Sequence, residues 1–230
     1  MRVIYSYFPG AAIETPGELN DEAVALLKEF DQLPPDPFAQ QTLRHRRLGY
    51  FLALPWKGEI VPRPGSSYAQ SAYHNPEDGG NQRTFESLTP AIASNGFLQA
   101  LIRFDLRQIP FGAPNFPQAV DVGVHMVRMV ATHDHPGISS PNCLHKDGEP
   151  YTFIHLIQRE GVEGGESVVA DNDRRELFRK TLTDALDTVV VDDRAVYHQI
   201  TPITSNSAVR GGFRDVLLID FTPLVRELTQ

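Results

Sequence analysis

Two histidines and one aspartate have residue types and a spacing suited to holding a divalent metal ion. His145 and Asp147 stand two positions apart, ahead of an apolar run, and His198 follows about fifty residues later inside an alternating apolar segment. On extended backbone, residues i and i+2 point to the same side. The first two side chains could therefore reach one ion from the end of a strand, while a neighbouring strand supplies the third. Two imidazoles and a carboxylate are a ligand set that proteins use for non-haem Fe(II) and that leaves coordination positions open.

An arginine downstream adds to this set. Arg214 opens an apolar segment sixteen positions after His198. A guanidinium at the start of an apolar strand is costly to bury unless it meets an anion, and its planar fork suits a carboxylate. The alternative is an exposed arginine that pairs with Asp215 or Asp220. A lone His-x-Asp pair is a weak signal, but the ordered series of His-x-Asp, distant His and then Arg on the next strand is far rarer.

Several other polar groups are weaker candidates. Arg128 lies within a predicted strand and Arg159 at the end of another, and either could face the pocket and bind a substrate carboxylate, with a structural ion pair as the alternative. The basic run 44–47 is expected to form a solvated strand edge rather than an anion site. The cluster His133-Asp134-His135 is expected in a solvated loop. Gly164-Gly165 predicts a tight strand junction that needs close backbone approach.

These groups need a scaffold, and short strands dominate the second half of the chain. Predicted strands cover 120–131, 151–158, 166–170, 186–191, 195–203 and 214–221, interrupted by one helical segment near 175–186. The first half predicts helices from Asn20, as N-cap, to Pro34 and over 89–107, a strand over 48–54, and loop over 57–83. Six or more short strands with Gly, Pro and Asp turns indicate a sandwich or barrel of the jelly-roll type. The segments between the strands are too short for parallel crossovers.

The composition bounds the class of protein. The chain has 230 residues, a net charge of −8, 41% hydrophobic residues and a single cysteine. These values are typical of a globular protein, and one cysteine excludes an intramolecular disulfide and a cysteine-rich zinc site. We expect one domain over 1–230, with a helical and strand extension over 1–115 packed on a core over 116–225. The acidic balance argues against nucleic acid as the main partner, and no segment predicts a signal peptide or a membrane span. A cytoplasmic location is the default, and a homo-oligomer stays open.

From about Val120 to Phe221 the sequence resembles the Fe(II)/2-oxoglutarate dioxygenases, in particular the bacterial group with L-isoleucine dioxygenase and the BsmA-like proteins. The fragments that carry this resemblance are His145-Lys146-Asp147-Gly148, Arg159 with Gly164-Gly165-Glu166-Ser167, Asp192-Asp193-Arg194, His198-Gln199-Ile200-Thr201-Pro202-Ile203 and Arg214-Asp215-Val216-Leu217.

The resemblance implies a mainly β, α+β fold with a double-stranded β-helix core, jelly-roll or cupin-like, flanked by N-terminal helices. It also implies Fe(II) at His145, Asp147 and His198, and 2-oxoglutarate as co-substrate with its distal carboxylate on Arg214. Arg210 is the rival for that role, because some relatives have a shorter interval between histidine and arginine. One departure is that Asn142-Cys143-Leu144 stands where the family pattern has a Glu-Gly pair before the first histidine, which puts the substrate in question.

The expected function is hydroxylation of a small molecule by a 2-oxoglutarate-dependent enzyme, with O2 as the oxidant and a free aliphatic amino acid as the best substrate. The alternative from another class is a jelly-roll protein that binds a metal or small ligand without turnover, as a sensor would. A third and weaker option is a zinc hydrolase that uses the same triad. A buried Arg214 facing the metal would favour the oxygenase, since the other two functions have no need of it.

Overall fold

A seven-stranded antiparallel sheet is the main framework of this computed structural model, which describes residues 4–13, 17–39, 42–74, 79–207 and 210–224. The helices are α1 Asn20–Phe30, α2 Pro90–Ala93 and α3 Gly96–Arg107, with short 3-10 turns at Gly10–Ala12, Gly17–Leu19 and Pro110–Gly112. The strands are β1 Tyr5–Phe8, β2 Leu43–Leu54, β3 Glu59–Arg63, β4 Ser67–Ala69, β5 Gln82–Thr84, β6 Val120–Ala131, β7 Tyr151–Glu160, β8 Val162–Gly164, β9 Glu166–Ala170, β10 Glu176–Thr181, β11 Thr188–Asp192, β12 Tyr197–Ile200, β13 Ile203–Ser205 and β14 Gly212–Pro223.

The strand order in the large sheet is β1-β11-β7-β14-β6-β2-β3. Its two central strands, β6 and β14, are rich in β-branched residues and pair over their whole lengths, from Gly212 opposite Ala131 to Pro223 opposite Val120. Branched side chains pack well on a pleated surface, so these sequences favour long central strands. Strands of the N-terminal half, β1 at one edge and β2 and β3 at the other, flank four strands of the C-terminal half in one hydrogen-bonded sheet.

The outer face of the large sheet is covered by α1 and α3. Apolar side chains of both helices and of the alternate sheet positions form one buried cluster, which includes Phe30, Leu98 and Ile102 from the helices and Phe51, Phe153 and Phe221 from the strands. Full burial of such side chains contributes roughly 1.5–3 kcal/mol each. This layer holds the sheet rigid behind the site.

The inner face of the large sheet looks toward two small sheets, with orders β10-β9-β12 and β13-β8. Two smaller apolar clusters lie on this side, one with members on β7, β9 and β11 and the other with members on β6, β8, β13 and β14. Polar side chains occupy the inner face elsewhere. Because side chains alternate along a strand, Arg214, Val216, Leu218 and Asp220 of β14 all point to this side.

Most predicted strands are confirmed, and the bounds of β6 and β9 match the prediction to the residue. The single strand predicted over 195–203 is two strands, β12 and β13, separated by Thr201 and Pro202. The strand predicted over 48–54 begins earlier, at Leu43. The predicted loop over 57–83 contains β3, β4 and part of β5.

The helix predicted near 175–186 is wrong, because half of that segment, Glu176–Thr181, forms β10 and none of it is helical. Its residues have good helix propensity, but β10 pairs with β9, and the ring of Phe178 lies 5.7 Å from that of Tyr5 and 6.3 Å from that of Tyr7. Across the same pair of strands, Arg179 contacts Glu166 at 2.7 Å. Tertiary pairing therefore overrides the weak local preference.

The two helix predictions in the first half hold with corrections at their ends. Asn20 is the first residue of α1 rather than its N-cap, and the preceding Leu19 makes no side-chain cap. The segment 89–107 is two helices, because Asn95 interrupts it and caps α3 by accepting a hydrogen bond from the Leu98 N–H at 2.9 Å. Asparagine favours this non-helical capping position.

Within the part of the chain that is described, no helix combines the length and the apolar character needed to cross a membrane.

Candidate active site

The structure brings the three predicted metal-binding side chains together. His198 lies on β12, and His145 pairs with it as an isolated bridge, with backbone hydrogen bonds of 3.0 and 2.9 Å in the two directions. Directly opposed residues place their side chains on one face, and the two imidazole centroids are 4.4 Å apart. Asp147 reaches the same point, so one ligand atom from each residue lies within 4.8 Å of the others.

Hydrogen bonds fix which nitrogen of each imidazole faces the centre. Nδ1 of His145 lies 2.8 Å from the Cys143 carbonyl and must donate to it, so Nε2 presents its lone pair, 3.4 Å from Asp147 Oδ1. His198 has Nε2 at 3.1 Å from Asp147 Oδ2 and Nδ1 at 3.3 Å from Asp193 Oδ1. A second group that holds the outer ring nitrogen is the usual support of metal-binding histidine.

The electrostatics of this cluster favour a bound cation. Burial by itself would raise the pKa of Asp147, but the charge of His198 and the hydrogen bonds of both imidazoles outweigh it and hold the pKa well below its ordinary value. Burial would lower the pKa of His198, but Asp147 and Asp193 raise it to about 10. The carboxylates thus stabilise positive charge at this point, and a divalent ion supplies that charge in place of a proton.

A chain of polar side chains supports Asp147 from the N-terminal half. Gln70 donates to Asp147 Oδ1 at 2.8 Å, and Arg83 in turn donates to Gln70 Oε1 at 2.7 Å. Gln70 lies between β4 and β5 in a segment that was expected to be loop, and no pattern in the sequence singles it out. Asp193 lies in the fragment Asp192-Asp193-Arg194, which contributes to the family resemblance, but no role for Asp193 was predicted from the sequence.

Arg214 is fully buried on β14, with a relative exposure of 0%. None of its three guanidinium nitrogens has a hydrogen-bond partner among the described residues. Burial, and then the charge of Arg159, lower the pKa of Arg214 to about 10. It lines a cavity that shares Arg46, Ser139, Ser140, Ile154, Ile200 and Leu218 with the cavity of the triad. A buried, unpaired guanidinium beside a metal site fits the distal carboxylate of 2-oxoglutarate, which would satisfy it.

Arg210, the rival for this role, is exposed on the loop before β14 and does not line either cavity. Arg128 does not line them either, because its guanidinium binds both oxygens of Asp215 at 2.7 Å and also contacts Asp31 at 2.9 Å. Arg159 donates to the carbonyls of Leu182, Val162 and Gly164. These contacts favour a structural role for Arg128 and Arg159.

The expectation of a solvated strand edge at 44–47 is wrong. The segment Pro34–Asp36 pairs along that part of β2, with hydrogen bonds from Arg46 N to Pro34 O and from Asp36 N to Arg44 O. Arg44 and Arg46 are buried, with exposures of 5% and 8%, and point into the cavities. Because Arg44 and Arg46 are two positions apart on a strand, the sequence could have indicated that both side chains lie on the same face of the sheet.

The cavity of the triad holds further polar groups for which the sequence predicted no role in a site. Glu149, Asp220, Tyr68 and His125 line it beside Arg46 and Arg83. Burial, followed by repulsion from Asp220 and Asp147, holds the pKa of Glu149 well above its ordinary value. The cavity therefore presents both signs of charge to whatever enters it.

The junction at Gly164-Gly165 helps to place Arg214. Both glycines have positive φ, at 76° and 70°. A Cβ on Gly165 would lie 2.8 Å from Ile203 Cγ2 and 3.0 Å from Arg214 Cδ. The prediction of close approach is thus confirmed, and only glycine fits without strain. The cluster His133-Asp134-His135 is exposed, as expected.

Comparisons with known proteins agree with this geometry. The sequence profile of the 2OG-Fe dioxygenase family matches residues 27–220. L-isoleucine-4-hydroxylase from Bacillus thuringiensis is 34% identical over 160 residues, which span 68% of this chain and 65% of that protein. The 3(1)-hydroxy-L-isoleucine 4-dioxygenase from Pantoea ananatis (strain AJ13355) is 31% identical over 204 residues, 87% of this chain and 81% of that protein.

Solved structures give the same result for the fold. IDO from Bacillus thuringiensis superposes with a TM-score of 0.80 at 25% identity, covering 96% of this chain and 94% of that one. A bsmA homolog from Methylobium petroleophilum PM1 superposes with a TM-score of 0.81 at 24% identity, covering 95% and 88%. The prediction of a mainly β, double-stranded β-helix fold is confirmed. The chain belongs to the 2OG-Fe dioxygenase family, the class of oxygenases that work with Fe(II) and 2-oxoglutarate.

Proposed function

We propose that His145, Asp147 and His198 hold Fe(II), that Arg214 binds the distal carboxylate of 2-oxoglutarate, and that the protein hydroxylates a free aliphatic amino acid. The observation that carries this proposal is the fully buried Arg214 guanidinium, unpaired among the described residues, in a cavity continuous with that of the triad. A buried cation without a partner costs several kcal/mol. A diacid that reaches from the metal to this guanidinium would remove that cost.

When bound, the iron and 2-oxoglutarate supply the oxidising chemistry that activates O2 and breaks a C–H bond. The chain contributes placement and protection. Cys143 and Asp193 orient the two imidazoles, and Gln70 holds one oxygen of Asp147. Ile154, Ile200 and Leu218 form the apolar wall between the triad and Arg214 and exclude water from the reaction.

The substrate class rests on the relatives. Both curated relatives carry isoleucine or hydroxy-isoleucine in their names. The unusual Asn142-Cys143-Leu144 before the first histidine ligand leaves room for a different amino acid within this class. We therefore propose the class and not one member of it.

The test is succinate formation by the purified protein with Fe(II), 2-oxoglutarate, O2 and a panel of free amino acids. We expect at least one aliphatic amino acid to stimulate succinate release. His198→Ala and Asp147→Ala should each abolish it, with iron binding lost in parallel, because two remaining ligands do not hold the ion. His133→Ala is the matched control, since His133 is exposed away from the cavity.

Wild-type protein that binds iron but makes no succinate with any amino acid would contradict the proposal. So would a His198→Ala variant with unchanged turnover. A thermal shift with metal alone, with no further shift on adding 2-oxoglutarate, would point to the metal-binding module instead.

We also propose a cytoplasmic location for a chain that folds as one domain over 1–230, with 1–115 packed on a catalytic core over 116–225. The single cysteine and the acidic net charge of −8 support an intracellular protein whose partners are small molecules, and not nucleic acid or membrane. A homo-oligomer is compatible with this proposal, and light scattering would measure it.

A further inference from the structure

The cavity of the triad contains a hydrogen-bonded line of three side chains that the iron and 2-oxoglutarate do not use. Arg46 donates from a terminal nitrogen to Nδ1 of His125, and Nε2 of His125 lies 3.1 Å from Asp220 Oδ2. These residues lie on neighbouring strands β2, β6 and β14 and point to the inner face. The line therefore sets a cation and an anion on the same wall, with one imidazole between them.

The hydrogen bonds determine the state of that imidazole. A guanidinium can only donate, so Nδ1 of His125 accepts and Nε2 carries the proton toward Asp220. Burial, and then the charge of Arg46, lower the pKa of His125 against the opposing effect of Asp220. The line thus joins a basic side chain, Arg46, to an acidic one, Asp220, through a single imidazole.

The guanidinium of Arg46 is held in place but incompletely hydrogen-bonded. Arg46 is buried, with an exposure of 8%, and its Nε has no hydrogen-bond partner in the described part of the chain. Its guanidinium carbon lies 4.3 Å from the Phe85 ring centroid, which fixes the plane of the fork. The carboxylate of Asp220 lies against Gly123 of β6, where the Cβ of any other residue would collide with it.

Other buried polar atoms around the line also lack hydrogen-bond partners. Thr152, directly opposite Asp220 on β7, is 3% exposed and its hydroxyl has no partner among the described residues. Glu149 also lines the cavity, and its Oε2 has no partner among the described residues. Buried polar groups without partners are rare in folded proteins and mark places where a ligand or water completes the hydrogen bonding.

We infer that this wall is the recognition site for the zwitterion of the amino-acid substrate, with Arg46 binding the α-carboxylate and Asp220 binding the α-ammonium group. Glu149 and Thr152 complete the ammonium end, and the apolar wall of Ile154, Ile200 and Leu218 receives the side chain. The inference rests on the proposed function and extends it, because it states which two charges select a free α-amino acid over an amine, an acid or a peptide.

The test measures two affinities separately. Under argon, the optical band of the Fe(II) complex with 2-oxoglutarate reports co-substrate binding. Succinate release reports KM and kcat for L-isoleucine, or for the best amino acid of the panel. We expect Arg46→Met and Asp220→Asn each to raise the KM for the amino acid by at least about 30-fold, as truncation of a buried charge contact does. The affinity for 2-oxoglutarate should change by less than about 3-fold.

Two substrate analogues identify which charged group of the amino acid each residue binds. Relative to L-isoleucine, wild-type protein should bind 3-methylpentanoic acid, which lacks the ammonium, and 2-methylbutylamine, which lacks the carboxylate, at least about 30-fold more weakly. In Asp220→Asn the penalty for the acid should disappear while that for the amine stays. In Arg46→Met the reverse should hold. The wild-type comparison needs no variant to fold.

Arg63 and Asp121 are the matched controls, because they form an ion pair of 2.7 Å on the same sheet outside the cavity. Arg63→Met and Asp121→Asn should leave the KM within about 2-fold. Variants of Arg46 or Asp220 that weaken 2-oxoglutarate binding while sparing the amino acid would overturn the inference. Equal binding of the analogues and L-isoleucine by wild-type protein would also overturn it. Failure of the proposed function is distinct, since wild-type protein would then release no succinate with any amino acid, whether or not the optical band forms.

Discussion

At the scale of single residues, the active site concentrates charge in positions where a folded chain would not otherwise keep it. Arg214 is wholly buried with no partner for its three nitrogens among the described residues, and Asp147 sits between two imidazoles. The burial of Arg214 costs folding free energy in the absence of ligands, whereas the imidazoles stabilise the charge of Asp147. The function therefore accounts for groups that stability alone would remove.

This cost makes Arg214 a test of both stability and binding. Arg214→Met keeps much of the side-chain length and removes the buried cation. We expect the free energy of unfolding of the ligand-free protein to rise by about 1–3 kcal/mol, because replacing buried charge by apolar groups is often stabilising. Denaturant titration measures this change.

The same variant should lose the extra thermal stabilisation that 2-oxoglutarate gives in the presence of Fe(II). Arg210→Met is the matched control and should keep that stabilisation, since Arg210 is exposed. A ligand-free Arg214→Met protein less stable than wild type, with 2-oxoglutarate binding unchanged, would refute the role of Arg214.

At the scale of secondary-structure elements, helix α3 is tied to the outer face of the sheet by a buried polar contact. Asp105 on α3 accepts from His155 Nε2 on β7 at 2.8 Å, and Nδ1 of His155 lies 2.7 Å from Thr188 Oγ1 on β11. Asp105 and His155 both have 0% exposure. These three residues have the residue types of a hydrolase triad, but they lie on the face opposite the cavity. We therefore interpret them as a structural contact that holds α3 against the sheet.

Removing Asp105 should therefore weaken the fold without touching the chemistry. Asp105→Ala leaves Nε2 of His155 buried without a partner, and we expect a loss of about 3 kcal/mol in the free energy of unfolding. Asp105→Asn keeps an acceptor oxygen and should lose less. The KM for 2-oxoglutarate should stay at the wild-type value in both variants. A change in stability within about 0.5 kcal/mol for Asp105→Ala would contradict this role.

At the scale of the whole molecule, strands from both halves of the chain share one sheet. β1 pairs with β11, and β2 pairs with β6, so the N-terminal strands hydrogen-bond directly to the strands that carry the site. The N-terminal half also supplies Arg46, Gln70 and Arg83 to the cavity. The hydrogen bonds between strands of the two halves support the proposal that 1–115 and 116–225 fold as one unit.

One cooperative unfolding transition should follow from that arrangement. We expect tryptophan fluorescence from Trp56, in the N-terminal half, and far-ultraviolet circular dichroism, which reports the whole sheet, to give coincident midpoints in denaturant. Trp56→Phe should leave the circular dichroism midpoint within about 0.5 M of wild type, because Trp56 is 48% exposed. Two separated transitions would contradict a single domain.

Much of this protein was readable from local pattern. The His-x-Asp pair, His198 and Arg214 were identified from a spacing of two residues and from apolar alternation. Both patterns belong to single strands, so they can be read without knowing how the strands pair. Valines recur along β6 and β9, and their β propensity explains why both strands were found from local pattern. The helix predicted near 175–186 failed because β10 is held by β9 and by aromatic contacts from β1, and neither is visible to a local window.

Residue type and periodicity along one strand were enough to identify the side chains that could hold a metal and a carboxylate. Three other features could be seen only in the folded chain: Arg46, His125 and Asp220 form one wall, Gln70 reaches Asp147 across 77 positions, and Arg214 and not Arg210 is buried. The reason is physical: which strands become neighbours, and in which register, depends on packing summed over the whole chain, and side chains on different strands meet only after that choice.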